Sequence, residues 1–319
     1  MEALWITLAV LGGLVAVVLG TSLYCFLRVF YAPKRKPVGK DEYPIPKGEI
    51  YEAHRERIVS WMKEARELPS TPVSIKSYDG LTLRGRFYEH HEGAPIEIMM
   101  HGYRGSGETD MCGGVHRAFA VGRSALVIDH RASGTSDGHV ITFGVKERFD
   151  ALSWARFVDK TYPGRPVILT GISMGAATVM MATALDLPES VVGVLADCGY
   201  TAPREIIEKV VVDMGLPPAL IYPFIRLGAI LFGGFDPDAA SAYEAMKTCR
   251  LPVIFYHGDK DDFVPHEMSV RNHEACGGRK RLVTIPGAGH GLAYPENEEL
   301  YVSTLAEFYP EYSTTTGGV

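Results

Sequence analysis

From Ala3 to Leu27 the chain carries no charged residue and few polar ones. At ~1.5 Å per residue a helix over this run reaches ~37 Å, enough to cross a ~30 Å hydrocarbon core with some tilt. A removable export signal fits poorly. The leader holds Glu2 and no Lys or Arg, the apolar run is long, and no A-x-A site follows it. Basic residues lie only beyond the run, at Arg28, Lys34, Arg35, Lys36 and Lys40. The positive-inside rule therefore expects the N-terminus outside and the rest of the chain in the cytoplasm.

Pro33, Pro37, Gly39, Pro44, Pro46 and Gly48 then break the pattern, which reads as an irregular tether over 32–48. Glu49–Leu68 mixes charges with Ile50, Ile58, Trp61, Met62 and Ala65, as a surface helix ended by Pro69 would. Two strand-like runs, 73–78 and 81–88, meet at Asp79-Gly80, a hairpin signal. Short apolar runs follow at 96–100, 125–128, 167–169, 191–196, 252–256 and 282–285. Helix-like stretches separate most of them, at 143–160, 175–187, 265–276 and 296–309. Strands alternating with helices predict βαβ units and a mostly parallel, eight-stranded α/β sheet. Chemistry in such sheets gathers at the carboxyl ends of the strands.

Composition narrows the function classes. The chain has 319 residues, 46% hydrophobic and 22% charged, which suits one large globular domain or two small ones. Its net charge of -6 lacks the basic excess of a nucleic-acid binder. Cys25, Cys112, Cys198, Cys249 and Cys276 form no CxxC and no even framework. A reducing compartment fits this usage better than disulfides or a zinc site. No phosphate loop or ligand cluster points to a cofactor or a metal.

The pattern G-x-S-x-G occurs twice, at Gly171-Ile-Ser-Met-Gly175 and Gly134-Thr-Ser-Asp-Gly138. Ser173 follows the strand-like Val167-Ile-Leu-Thr170 and precedes a run that can start a helix at once. Strand, sharp turn and helix are what a nucleophile elbow requires. Ser136 sits in a polar loop without that frame. A serine hydroxyl needs an adjacent base. His266 and His273 fall in a charged helix-like stretch, whereas His290 lies in the loop Pro286-Gly-Ala-Gly-His-Gly291 after a strand. Its glycines let the imidazole reach the serine. An acid is needed between them in the chain, and Asp259, Asp261 and Asp262 all follow the strand at 252–256. Asp197, ending the preceding strand, is a further candidate, and spacing does not choose.

Five segments occur in a telling order: His101-Gly-Tyr-Arg104, Asp129-His-Arg-Ala-Ser-Gly-Thr-Ser136, Gly171-Ile-Ser-Met-Gly175, His257-Gly-Asp-Lys-Asp-Asp-Phe-Val-Pro265 and Gly289-His-Gly291. From about residue 73 to 309 the chain resembles the α/β-hydrolase superfamily, in its serine aminopeptidase S33-like or Bem46-like branch. The resemblance implies a Ser173–Asp261–His290 triad, since the acid pattern H-G-x-x-D-x-x-V-P falls on Asp261. It implies an oxyanion hole from the backbone N–H groups of Tyr103 and Met174, with His101 bracing that loop. Ala132 departs from the glycine that relatives carry there. The resemblance also implies a helical cap over the serine at about 199–248, where the alternation stops; two ordinary packing helices are the alternative reading of that segment.

The expected organisation is a transmembrane anchor at 1–31, a linker and surface helix at 32–70, a hydrolase domain at 71–312 and a disordered tail at 313–319. The expected function is a membrane-anchored serine hydrolase of carboxylic esters or thioesters, working through an acyl-enzyme on a small ester or acyl substrate, hydrophobic ones included, without cofactor, metal or nucleic acid. A peptidase or amidase, or an inactive binding protein using the cap pocket, is the alternative. A fold of this kind hosts many reactions.

Overall fold

In the computed structural model, residues 1–34, 38–46 and 48–314 are described. Eight strands form one sheet: β1 (Thr71–Lys76), β2 (Thr82–Tyr88), β3 (Ile96–Met100), β4 (Ser124–Ile128), β5 (Val167–Ile172), β6 (Val191–Asp197), β7 (Val253–Gly258) and β8 (Lys280–Ile285). Ten helices of seven or more residues accompany them. They are α1 (Glu2–Val29), α2 (Arg55–Glu67), α3 (Cys112–Ala120), α4 (Glu147–Thr161), α5 (Met174–Ala182), α6 (Pro203–Asp213), α7 (Pro218–Gly228), α8 (Ala242–Thr248), α9 (His266–Ala275) and α10 (Glu298–Phe308).

The strand order is β1-β2-β4-β3-β5-β6-β7-β8. The β1–β2 hairpin and the β2–β4 pair are antiparallel, and every other pair is parallel. Strands β3, β4 and β7 are buried along their whole length, because helices cover both faces. That is why β4 and β7 read as largely apolar runs rather than alternating ones, while in β3 the buried Glu97 is met by Arg117 and Arg123. The sheet's carboxyl edge, formed by the ends of β3, β5, β6 and β7, places every candidate catalytic loop on one side of the molecule.

Three of the sequence expectations need correction. The apolar helix exists, but its last turns belong to the globular core: Phe26 and Phe30 are buried in the main cluster. Gly228 of α7 admits the close approach, since a Cβ there would lie 2.3 Å from the Ser22 carbonyl oxygen. The segment beyond α1 is irregular but not a free tether. Tyr31 pairs with Val140, Ala32 N–H donates to the His139 carbonyl at 2.8 Å, and Tyr43 and Ile45 pack on a second core cluster. The expected surface helix over 49–68 resolves into one turn at Glu49–Glu52 and then α2, whose Trp61 and Met62 are buried. At the other end, Ser313 and Thr314 are tied to Tyr309 and Val121, and the remainder of the expected tail lies outside the described residues.

Candidate active site

Ser173 sits between β5 and α5 with φ 56° and ψ −116°. A non-glycine residue in such a region costs ~1–3 kcal/mol and persists only where its surroundings fix it. Here its N–H donates to the Asp197 carbonyl at 2.8 Å, and its own carbonyl accepts from Ala177 N–H at 3.0 Å. Gly175 makes the turn possible: a Cβ there would lie 2.0 Å from the Met100 carbonyl oxygen. The strain holds the Ser173 hydroxyl up at the sheet's edge, 3.0 Å from His290 Nε2.

His290 comes from the loop after β8. Its Nδ1 is 2.7 Å from Asp261 Oδ2. Tyr51 pins the loop by donating its hydroxyl to the His290 carbonyl at 3.0 Å, and the Phe263 ring lies 5.0 Å from the imidazole. Asp261 is itself held. Its Oδ1 accepts from Phe263 N–H at 3.0 Å and Val264 N–H at 2.8 Å. His257, whose Nδ1 meets Ser269 Oγ at 2.6 Å, brings Nε2 to 3.1 Å from Asp261 Oδ2. Burial alone would raise the Asp261 carboxyl, but the hydrogen bonds from His257 and His290 outweigh it and hold the group well below the usual carboxylate range.

The other sequence candidates have different partners. Asp259 accepts from Gly287 N–H at 2.7 Å, bracing the histidine loop. Asp262 is exposed, and its carbonyl meets the Lys209 ammonium. Asp197 accepts from the Tyr301 hydroxyl at 2.9 Å, and burial pushes its carboxyl up to about 6 against that bond. His266 meets Thr284 at 2.9 Å, and His273 packs on Phe255. Ser136 donates to the Asp129 carbonyl and accepts from Arg84 N–H, both at 2.8 Å, so it closes a loop far from His290 in the bonding pattern.

The loop after β3 passes over Ser173: a Cβ on Gly102 would lie 3.6 Å from Ser173 Cβ. His101 is fully buried. Its Nδ1 meets the Gly102 carbonyl at 2.8 Å, and its Nε2 accepts from His130 N–H at 3.0 Å. Asp110 accepts from Gly102 N–H at 3.1 Å. The Tyr103 hydroxyl donates to the Val29 carbonyl at 2.6 Å, joining this loop to the end of α1. Met174, at the first position of α5, has one of the N–H groups that a helix start leaves without an intrahelical acceptor.

A cavity of about 590 Å³ opens on Ser173 and His290. Its walls come from the N-terminal segment (Pro44, Ile45, Tyr51, Trp61), the loops around Tyr103 and Met111, and Leu195, Leu292 and Tyr294. The stretch 199–248 is helical, as α6 to α8, but none of its residues lines this cavity. The expected cap therefore packs elsewhere, α7 lying along α1, and Pro44, Ile45, Tyr51 and Trp61 wall the serine's cavity instead. Tyr51 and His257 were missed as supporting residues. His257 had a signal, its place at the end of β7 within the acid motif; Tyr51 had none.

Cys198, Asp261 and His290 bring possible ligand atoms within 4.8 Å of one another. Metal binding needs deprotonated, available ligands. Here burial holds the Cys198 thiol well above its ordinary range, and Asp261 and His290 are bonded to each other.

No protein-family model matches the chain. The uncharacterized protein YqkD of Bacillus subtilis is 23% identical over 252 residues, which cover 78% of this chain and 82% of that one. The Pyrococcus furiosus esterase Pf2001 superposes with a TM-score of 0.64 at 20% identity, covering 88% of this chain and all of its own. Mouse alpha/beta hydrolase domain-containing protein 10 superposes with a TM-score of 0.56 at 19% identity, covering 76% of this chain and all of its own. The chain has the α/β-hydrolase fold. In an α/β-hydrolase fold the ends of β5, β7 and β8 carry Ser173, Asp261 and His290 onto one edge, in the chain order serine, acid, histidine.

Proposed function

We propose that this protein is a membrane-anchored serine hydrolase of carboxylic esters or thioesters, with Ser173 as nucleophile, His290 as general base and acid, and Asp261 as the group that orients His290. The observation that carries the reading is the unbroken relay from Ser173 Oγ to His290 Nε2 at 3.0 Å and from His290 Nδ1 to Asp261 Oδ2 at 2.7 Å. His290 takes the Ser173 proton as Oγ attacks the carbonyl carbon. Asp261 keeps the remaining imidazole proton on Nδ1 and stabilises the imidazolium. The tetrahedral oxyanion is received by the N–H groups of Tyr103 and Met174, each of which typically contributes ~2.7–4 kcal/mol in such sites. His290 then protonates the leaving alcohol or thiol, and water releases the acyl group by the same steps in reverse order.

Ester chemistry is favoured over peptide cleavage by the aromatic and aliphatic walls of the cavity, which suit an acyl chain. The esterase name of Pf2001 points the same way. Anchoring is supported by α1. Leu4, Leu11 and Leu14 are more than half exposed on a helix 28 residues long. Retention of the helix is favoured over cleavage because Phe26 and Phe30 at its end are core residues. The basic residues beyond it favour a cytoplasmic catalytic domain.

Labelling with a fluorophosphonate probe tests the chemistry. The probe is expected to react with the wild type and with Ser136→Ala but not with Ser173→Ala. Labelling that survives in Ser173→Ala would overturn the assignment.

A further inference from the structure

After α1 in the chain, ten large apolar side chains are exposed among the described residues, and seven of them lie between Val212 and Phe232. They are not scattered. Val212 is in the last turn of α6, Met214 and Leu216 lie in the connection to α7, Leu220 is in the first turn of α7, and Ile230, Leu231 and Phe232 occupy the wide turn that follows α7. Exposures run from 39% at Phe232 to 67% at Met214. Single exposed apolar residues need no explanation, but a contiguous group of this kind marks an interaction surface.

Its neighbour identifies the partner. α7 packs along α1, with Gly228 against Ser22. The Phe232 ring lies 5.9 Å from that of Phe26. The apolar face of α6–α7 is thus continuous with a helix whose outer portion is apolar on every side. A helix hydrophobic all round is stable only where no side faces water, in a large core or in a membrane. The patch also leads to the active site. Lys209 of α6 lies over the Phe263 ring at 5.9 Å, and Phe263 packs against His290.

We propose that the α6–α7 face is seated in the lipid leaflet beside α1, at interfacial depth, so that the site draws its ester substrates from the bilayer rather than from water. This rests on the reading of α1 as a membrane anchor and of Ser173 as the nucleophile of an esterase. It assigns the helical insertion a role other than roofing the cavity: it holds the mouth of the site at the membrane surface. The substrate class that follows is an ester with a long acyl chain and low solubility in water.

The test uses the full chain in vesicles of phosphatidylcholine and phosphatidylglycerol, with Cys25→Ala as background. Nitroxides are attached at Leu220→Cys and Leu231→Cys on the patch, Val10→Cys on α1 and Asp159→Cys on the polar surface of α4. Contact with oxygen against contact with a water-soluble nickel complex reports depth. The expected result is shielding from nickel at 220 and 231, as at 10, with 159 open. Shielding at 10 with 220 and 231 as open as 159 would overturn the inference and leave the anchor standing. Nickel access at 10, 220 and 231 together would overturn both. Shielding at 220 and 231 with 10 open would remove the anchor on which the inference rests and overturn it as stated. A functional arm uses Leu220→Glu with Leu231→Glu. Hydrolysis of p-nitrophenyl palmitate dissolved in the vesicles should fall about tenfold, while hydrolysis of p-nitrophenyl acetate stays at the wild-type rate. Equal rates on both esters would overturn the route from the leaflet. If neither ester is hydrolysed even by the wild type, the esterase reading falls and the depth measurement still decides the docking.

Discussion

Replacing Asp261 by asparagine tests the relay at its least obvious point. Asp261 Oδ1 already accepts two backbone N–H bonds, from Phe263 and Val264. An amide at this position keeps its oxygen there, because the two backbone N–H groups can only donate, whereas the imidazoles of His290 and His257 that face Oδ2 can shift their protons to the other ring nitrogen. The NH2 then faces His290 Nδ1, where Oδ2 now accepts at 2.7 Å. His290 can meet that donor only by making Nδ1 an acceptor, which moves its proton to Nε2. With Nε2 protonated, the Ser173 hydroxyl has no base. A tautomer error of this type lowers kcat by about 10⁴, equivalent to about 5.5 kcal/mol in the barrier.

The assay is steady-state hydrolysis of a p-nitrophenyl ester by full-length protein in detergent, alongside Asp262→Asn and the wild type. Asp262 is exposed and outside the relay, so its variant should stay within a few-fold of wild type. An Asp261→Asn rate within tenfold of wild type would refute the tautomer argument. A large loss in Asp262→Asn with none in Asp261→Asn would show that the acid is one residue later. Circular dichroism of both variants guards against a folding defect.

Three further outcomes are expected. Gly175→Ala places a methyl 2.0 Å from the Met100 carbonyl oxygen, so it should cost about 1–3 kcal/mol of stability and abolish probe labelling together; denaturant melts and labelling check it. Asp197→Asn should stabilise the protein at pH 8 and not at pH 4. The folded-state carboxyl at about 6 lies above the ordinary 3.9, so the folded protein binds the extra proton between these values and loses stability as pH rises through them, by about 3 kcal/mol at most; thermal melts at the two pH values would show it. A chain starting at residue 20 should keep its melting temperature, whereas one starting at residue 32 loses buried Phe26 and Phe30 and should fall by about 6 kcal/mol or fail to fold.

The sheet was legible because each central strand is covered on both faces and therefore reads as a short apolar block between helical stretches. The hairpin was legible because Asp79-Gly80 supplies its turn; Asp79 also pairs with buried Arg131 at 2.8 Å, which the pattern could not reveal. α3 was not separated out because Gly113 and Gly114 weaken its helical signal. The positions of Ser173 and His290 followed from local frames, strand–turn–helix and a glycine-flanked loop. The geometry around Asp261 did not. Choosing among Asp259, Asp261 and Asp262 depends on which side chain the backbone of residues 263 and 264 turns toward His290, and that is decided by loop hydrogen bonds with no periodic signature.

The first sixty-eight residues carry the larger lesson. Read for periodicity, they divide into an anchor, a tether and a surface helix, each apparently separate from catalysis. Three contacts join them to the site instead. The Val29 carbonyl accepts from Tyr103 on the loop over Ser173, Tyr51 holds the His290 carbonyl, and Trp61 lines the cavity. None of these has a sequence signal, because each is a single long-range contact from an irregular or weakly amphipathic stretch. Their physical consequence is that the end of the apolar helix and the position of the loop over Ser173 are mechanically linked. A leaflet that fixes α1 would thereby restrain the loop as well, so the full chain and a truncated one should differ in kcat even where both are folded and both bind the same ester.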